Sequence, residues 1–211
     1  MEKRNFIIPE FGPLAGLRVI GAGSLIAMPF AATMMADFGA EVIQIERPKI
    51  GDTYRSFPPL KKTEQGTAGS SWMQDARNRL SMTLELDLND PDVKEIFFRL
   101  IERSDIFIEN MVWLDKLGIH DSELLKINPR LVIVHVSGYG HKEFGGLPEI
   151  CDQASYDMTS QAYSGYALFN GYPDRDPLIV KPSLGDYITA LFALFGMLSD
   201  HISAKNTGRG Q

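Results

Sequence analysis

Cysteine is almost missing from this chain: Cys151 is the only one in 211 residues. That excludes a disulfide within the chain and any site built on several thiolates. An excess of positive charge is missing too, with 21 Lys and Arg against 27 Asp and Glu and a net charge of −6. The basic residues are scattered among acidic ones, which leaves no footprint for nucleic acid. The histidines, His120, His135, His141 and His201, show no ligand spacing with the acidic residues, so no metal is expected. Met1-Glu2-Lys3-Arg4-Asn5 is not followed by the apolar core of a signal peptide. The apolar run from Ile188 to Leu198 is short and ends at Asp200 and His201, which predicts no bilayer span. These absences predict a soluble cytoplasmic protein with no membrane or nucleic-acid partner.

What is present is a hydrophobic content of 44%, enough for one sizeable domain or one domain and part of a second. Val/Ile-rich segments near 18–20, 41–46, 80–86, 105–109 and 131–136 read as strands. Helical patterns alternate with them. Asp90 and Pro91 supply a cap and a first helical position, and Val93, Ile96, Phe97, Leu100 and Ile101 then share one face. Further helices are predicted up to about Asp37 (closed by Gly39), over Ser122 to Ile127, over Ala154 to Ser164, and from Tyr187 to about Ala204. This alternation predicts an α/β, Rossmann-like domain: a mostly parallel open sheet with right-handed crossovers and helices on both faces. Residues 48–79, rich in Pro, Gly and Ser, read as a long loop, and 50–75 are expected to make few core contacts. Thr207-Gly208-Arg209-Gly210-Gln211 is a turn sequence that normally leads into another element, so a truncation is expected there.

Asp186, in Leu184-Gly185-Asp186-Tyr187, is the most informative residue. It stands where Lys181-Pro182-Ser183 gives way to the long apolar helix, a capping position. The helix N-terminus favours its ionised form, and Gly185 is expected to let another molecule come close. An ionised, backbone-positioned carboxylate of this kind can act as a nucleophile. By contrast, Gly21-Ala22-Gly23 with Glu46 beyond it only imitates a dinucleotide fingerprint. The third glycine would fall on Ile26, and Pro29 lies in the first helical turns.

Several ordered blocks carry a family resemblance. They begin with Phe11-Gly12-Pro13-Leu14-Ala15-Gly16-Leu17-Arg18-Val19-Ile20 and Phe38-Gly39-Ala40-Glu41-Val42-Ile43-Gln44-Ile45-Glu46-Arg47-Pro48. Asn78-Arg79-Leu80-Ser81, Ile108-Glu109-Asn110, Asn128-Pro129-Arg130, Val136-Ser137-Gly138-Tyr139-Gly140 and Ala154-Ser155-Tyr156-Asp157 follow. Together with Ala162-Tyr163-Ser164-Gly165-Tyr166 they make the chain resemble the type III CoA-transferases of the CaiB/BaiF kind, nearest their carnitine and bile-acid branches. The resemblance implies an acyl-CoA transferase with Asp186 as nucleophile, passing CoA through an aspartyl thioester. Acyl-CoA and a small carboxylic acid would be its substrates, with no permanently bound cofactor. The resemblance also implies CoA contacts at Ile26, Ala27, Arg47, Asn78, Arg79, Asn110, Lys116 and Tyr156, with Asp157 beside Tyr156 near the nucleophile. Met111-Val112-Trp113 departs from the family's usual turn before the basic residue. Trp72, Trp113, Tyr139 and Tyr156 could offer a cation–π surface.

Members of that family are about twice as long and form interlocked homodimers. Residues 1–211 would therefore be the N-terminal part of the large CoA-binding domain, without the small domain and the C-terminal return segment. The alternative is a non-catalytic α/β fragment that binds a nucleotide or partner and needs a second chain for activity.

Overall fold

Runs of Val, Ile and Phe that must be buried on both faces fit a parallel sheet, and the chain builds one. The computed structural model describes residues 6–8, 10–64, 66–112 and 114–211. In chain order the strands are β1 (Arg18–Ala22), β2 (Glu41–Glu46), a hairpin of β3 (Leu60–Thr63) and β4 (Gly66–Gly69), β5 (Leu80–Thr83), β6 (Ile106–Glu109) and β7 (Val132–His135). The main sheet has the order β5-β2-β1-β6-β7, and every pair in it is parallel. The helices are α1 (Ala27–Asp37), α2 (Ser70–Asp75), α3 (Pro91–Glu102), α4 (Asp121–Ile127), α5 (Asp157–Tyr163), α6 (Tyr166–Phe169) and α7 (Leu184–Thr207).

The pleat sorts side chains between two cores. Val19, Val42, Ile106, Ile108 and Val132 face α1 and α7, joining Met28, Met35, Ala190 and Met197. Ile20, Ile45 and Phe107 face the other way, against Phe97 and Ile101 of α3 and Leu124 of α4. Small residues let α1 and α7 lie close: Ala31, Ala32, Ala36 and Ala190 are all buried there. Phe30 and Tyr187 lock them edge to face, 4.8 Å apart. As the sequence predicts, the Asp90 carboxylate caps α3 by accepting from the Asp92 and Val93 amides.

Several boundaries differ from expectation. β5 stops at Thr83, yet Leu86 and Leu88 remain buried beyond it. α5 starts only at Asp157, because Tyr156 is extended. Residues 50–75 are not a featureless loop: they hold a 3-10 turn (Thr53–Ser56), the hairpin and α2. Buried polar residues organise them. Asp52 accepts from the Tyr54 amide at 2.9 Å, and the Tyr54 hydroxyl reaches Asp75 at 3.2 Å. A sequence pattern that counts apolar periodicity does not register such a polar core. Gln65 lies outside the described residues.

α7 runs through Asp200 and His201 to Thr207, a little beyond the Ala204 expected, and closes on a left-handed Gly208. At 24 residues it is long and apolar enough to cross a membrane by length and composition, against the shorter span expected. One side of it is core, since Ala190, Met197 and Ala204 are buried under α1 and the sheet. The other side carries Phe192 and Phe195, exposed at 74% and 72%.

The two cores set different stakes for substitution. Phe107→Ala should lower stability by about 3–5 kcal/mol, because a fully buried ring leaves a cavity. Asp90→Ala should cost about 1 kcal/mol, as one helix cap is lost. Urea denaturation of both variants would check this, and equal costs would contradict it.

Candidate active site

In the order β5-β2-β1-β6-β7 the chain first builds outward from β1 to one side, then returns to build on the other. The loops after β1 and β6 must leave in opposite directions, which opens a crevice at the carboxyl ends of the strands. A cleft of about 750 Å³ lies there. Ser24 to Ala27 wall it from β1, Asn110 to Val112 from β6, and Val136 to Gly138 from β7. Tyr156, Ser160, Gly185 and Asp186 close it from α5 and α7.

The β1 loop is held by side chains, not by backbone pairing. Asn110 accepts from the Ser24 amide at 3.1 Å and donates to the Ser24 carbonyl at 2.9 Å. Gln44 donates to the Gly23 carbonyl at 3.0 Å. Asp52 accepts at 3.0 Å from the amide of Leu25, whose φ of 71° is left-handed. Gly23 is required here, since with φ of 140° a Cβ would stand 1.8 Å from the Asn110 oxygen. Behind the loop, Arg79 donates to Gln44 at 2.9 Å. Burial pulls the Arg79 pKa down to about 10 and pushes the Asp52 carboxyl up, although each lies in the other's field.

Asp186 is the third residue of α7, not its cap; the boundary residue is Ser183, in a left-handed conformation. The space above Gly185 is filled from within: a Cβ would meet the Ser160 hydroxyl at 2.3 Å. The glycine therefore lets α5 approach α7, where the sequence suggested an approaching ligand. Asp157, the first residue of α5, accepts from the Gly185 amide at 2.7 Å. It also accepts from Gln161, whose amide bonds both ways with the Val180 backbone. Tyr187 donates to the Asp75 carboxylate at 2.7 Å and pins the other side of the first turn.

Burial, and then the Asp157 charge, push the Asp186 carboxyl up to about 6. At pH 7 it is still about ten to one carboxylate, since one pH unit is one factor of ten. A half-buried, reachable, ionised carboxylate beside a second acid is suited to attack on an activated acyl carbon.

A second cluster in the same wall goes beyond the sequence expectation. His135 bonds Glu109 through Nδ1 at 2.7 Å and Asp121 through Nε2 at 2.9 Å. Burial opposes its charge, but these two carboxylates raise its pKa to about 9. The His141 ring lies 4.7 Å from that of His135. The histidines thus do meet acidic residues: ligand atoms of Glu109, His135 and His141 lie within 4.8 Å of one another. The available signal was positional. Glu109 and His135 end neighbouring parallel strands and pair in register, which spacing along the chain cannot reveal.

The fold brings Ile26, Ala27, Asn110, Lys116, Tyr156 and Asp186 to the one cleft. Arg47, Asn78 and Arg79 stand outside its walls. Arg47 is an exposed partner of Glu85 at 3.7 Å. Asn78 has a left-handed φ of 60° and donates to Asp37 at 2.8 Å. Arg79 braces the β1 loop from behind through Gln44. Of the aromatics considered for a cation surface, Trp72 already lies under the Arg55 guanidinium at 3.9 Å. Tyr139 packs on Tyr163 at 5.5 Å. Tyr156 lines the cleft, and Trp113 lies outside the described residues.

Comparison with known proteins agrees with this architecture. Over 205 residues the chain is 42% identical to the bile acid CoA-transferase BaiK of Clostridium scindens, covering 96% of this chain and 43% of that one. It is 36% identical over 206 residues to the succinyl-CoA–L-malate CoA-transferase alpha subunit of Chloroflexus aurantiacus, covering 94% and 45%. The fold matches the crystal structure of a CAIB/BAIF family protein from Brucella suis with a TM-score of 0.85 and 30% identity, over 95% of this chain and 52% of that one. The chain thus spans about half the length of the relatives it matches. Residues 14–211 match the model of CoA-transferase family III, so the chain belongs to that family.

Proposed function

We propose that this chain is the nucleophile-bearing half of an acyl-CoA transferase. The observation that supports it is Asp186, ionised in the wall of the cleft at the sheet's switch point. The Asp186 carboxylate attacks the thioester carbon of an acyl-CoA. The C–S bond breaks, giving an acyl–aspartyl anhydride and CoA thiolate. The thiolate attacks the aspartyl carbonyl of the anhydride, releasing the donor acid and leaving CoA on Asp186 as a thioester. An acceptor carboxylate repeats these steps in reverse and leaves as its CoA ester. Each intermediate retains an activated acyl bond, so the exchange needs no ATP.

Ile26, Ala27, Asn110, Lys116 and Tyr156 are the CoA contacts we assign within the cleft. Arg47, Asn78 and Arg79, also implied by the resemblance, would have to meet CoA outside it or act through the β1 loop. The acceptor is a carboxylic acid. Relatives named for bile acids and for succinyl and malate groups support that class, and a betaine such as carnitine is the other candidate. We further propose that residues 1–211 form part of a large CoA-binding domain completed by further chain. The exposed side of α7 would then be covered in an interlocked homodimer, acting in the cytoplasm.

Asp186→Ala should reduce CoA transfer by about 10⁴-fold or more, as removal of a nucleophile does elsewhere. CoA binding should survive. Mass spectrometry of the wild type after acyl-CoA exposure should find CoA on the Asp186 peptide. Transfer at the wild-type rate by the Ala variant would remove Asp186 from the mechanism.

The pH profile offers a second test. kcat/KM should fall as pH drops through about 6, where Asp186 takes up a proton. Asp157→Asn removes the neighbouring charge and should move that limb to lower pH. A limb that stays in place would mean Asp157 does not set the nucleophile's pKa.

Stability should show the opposite trend. The folded pKa of Asp186 lies above its ordinary value of 3.8. Its ionisation therefore destabilises the fold above pH 6, and protonation relieves this as pH falls through 6 towards 4. Asp186→Asn should raise Tm at pH 8, with the gain shrinking below pH 6. A Tm gain independent of pH would contradict the buried-charge account.

A further inference from the structure

We propose that Glu109, His135 and His141 form a binding site for one divalent transition-metal ion, of the Zn²⁺ class, in the wall of the cleft. The donor set comes first. Two imidazoles and one carboxylate suit Zn²⁺ and its neighbours, and three protein ligands leave a coordination position open. His135 and His141 both line the cleft, so an ion has an entry path and its open position can face a bound molecule.

The supporting contacts come next. A metal-bound histidine usually donates its other ring N–H to a carboxylate, which fixes the tautomer and aims the free lone pair. Asp121 stands 2.9 Å from His135 Nε2 and so directs Nδ1 towards Glu109. The Met111 amide bonds Glu109 Oε2, which orients Oε1 towards His135. The Glu109 carboxylate is fully buried. His141 Nε2 is also buried and has no hydrogen-bond partner among the described residues. A buried imidazole nitrogen left unpaired is costly, and a metal bond would satisfy it.

The distances are within reach. The three ligand atoms lie within 4.8 Å of one another. A tetrahedral ion with bonds of about 2.0–2.1 Å holds its ligand atoms roughly 3.4 Å apart. His141 sits on a loop before the 3-10 turn Lys142–Phe144 and is the ligand that moves in by roughly an ångström, while Glu109 and His135, now 2.7 Å apart, open slightly to admit the ion. An entering ion displaces the proton between Glu109 and His135, as any histidine ligand requires.

The test is independent of the CoA chemistry. The purified protein is stripped with EDTA, dialysed, and titrated with Zn²⁺ by calorimetry and with Co²⁺ by visible absorption. One ion per chain is expected, with Co²⁺ bands typical of nitrogen coordination. His141→Ala should abolish saturable binding. Asp121→Asn, at a partly exposed position that touches the metal only through His135, should weaken binding by about 10–100-fold. Circular dichroism would establish that both variants fold. No saturable uptake by the wild type would overturn the site. Uptake unchanged in both variants would overturn it equally.

Discussion

The parallel pairing of β1 with both β2 and β6 is the constraint on which the rest depends. With β1 in the middle, the chain must reverse the direction in which it adds strands. The loops on either side of the reversal then cannot pack on one another. The space they leave is the cleft, bordered by Asn110, His135, His141 and Asp186. The site is thus a consequence of topology first. Its chemistry is supplied by residues that end strands or begin helices: Asn110 after β6, His135 at the end of β7, Asp186 in the first turn of α7.

A cleft formed by diverging loops still needs walls that do not move. Ordinary secondary structure cannot supply them, because the β1 loop has no strand to pair with. Asn110, Gln44 and Asp52 take up its backbone groups instead. These bonds carry an electrostatic cost. Asp52 is buried with its carboxyl pushed up, and one of its oxygens has no partner among the described residues. Arg79 is partly buried, and its Nε is covered with no partner among them. Two opposite charges near each other offset part of that penalty. The loop is thus held in place by groups whose charges would be cheaper in water.

Much of the fold was legible in the sequence, for a simple reason. Strands buried on both faces announce themselves as Val/Ile runs, and Asp90-Pro91 marks a helix start by local chemistry alone. For Asp186 the local pattern marked the start of the apolar helix but misplaced the residue as its cap, since it is the third residue of α7; its role as a nucleophile was an implication of the family resemblance. Two kinds of feature were not legible. The polar core of Asp52, Tyr54, Asp75 and Tyr187 has no periodicity, and its hydrogen-bonded pairs lie up to 112 residues apart along the chain. The Glu109–His135 pair needs the register of two parallel strands, which no spacing rule contains. The three basic or amide positions outside the cleft were assigned by family resemblance, and their partners here are within the chain: Glu85, Asp37 and Gln44.

The same geometry explains why Asp186 can be both exposed to a ligand and poorly solvated. Asp157 holds the Gly185 amide, so the first helical turn presents the next side chain to the cleft. That bond uses an amide that would otherwise help neutralise an anion at the helix N-terminus. The helix terminus is thereby less able to hold Asp186 in its charged form, and a second negative charge is placed beside it. Burial first, and that charge second, raise the carboxyl to about 6. A carboxylate less stabilised by its surroundings is a stronger nucleophile, provided it stays ionised at the working pH. On the proposed reading of Asp186 as the nucleophile, positioning and activation are therefore one arrangement. Any change that loosens the α5–α7 contact should alter both, and one that replaces only the Asp157 charge should alter activation alone.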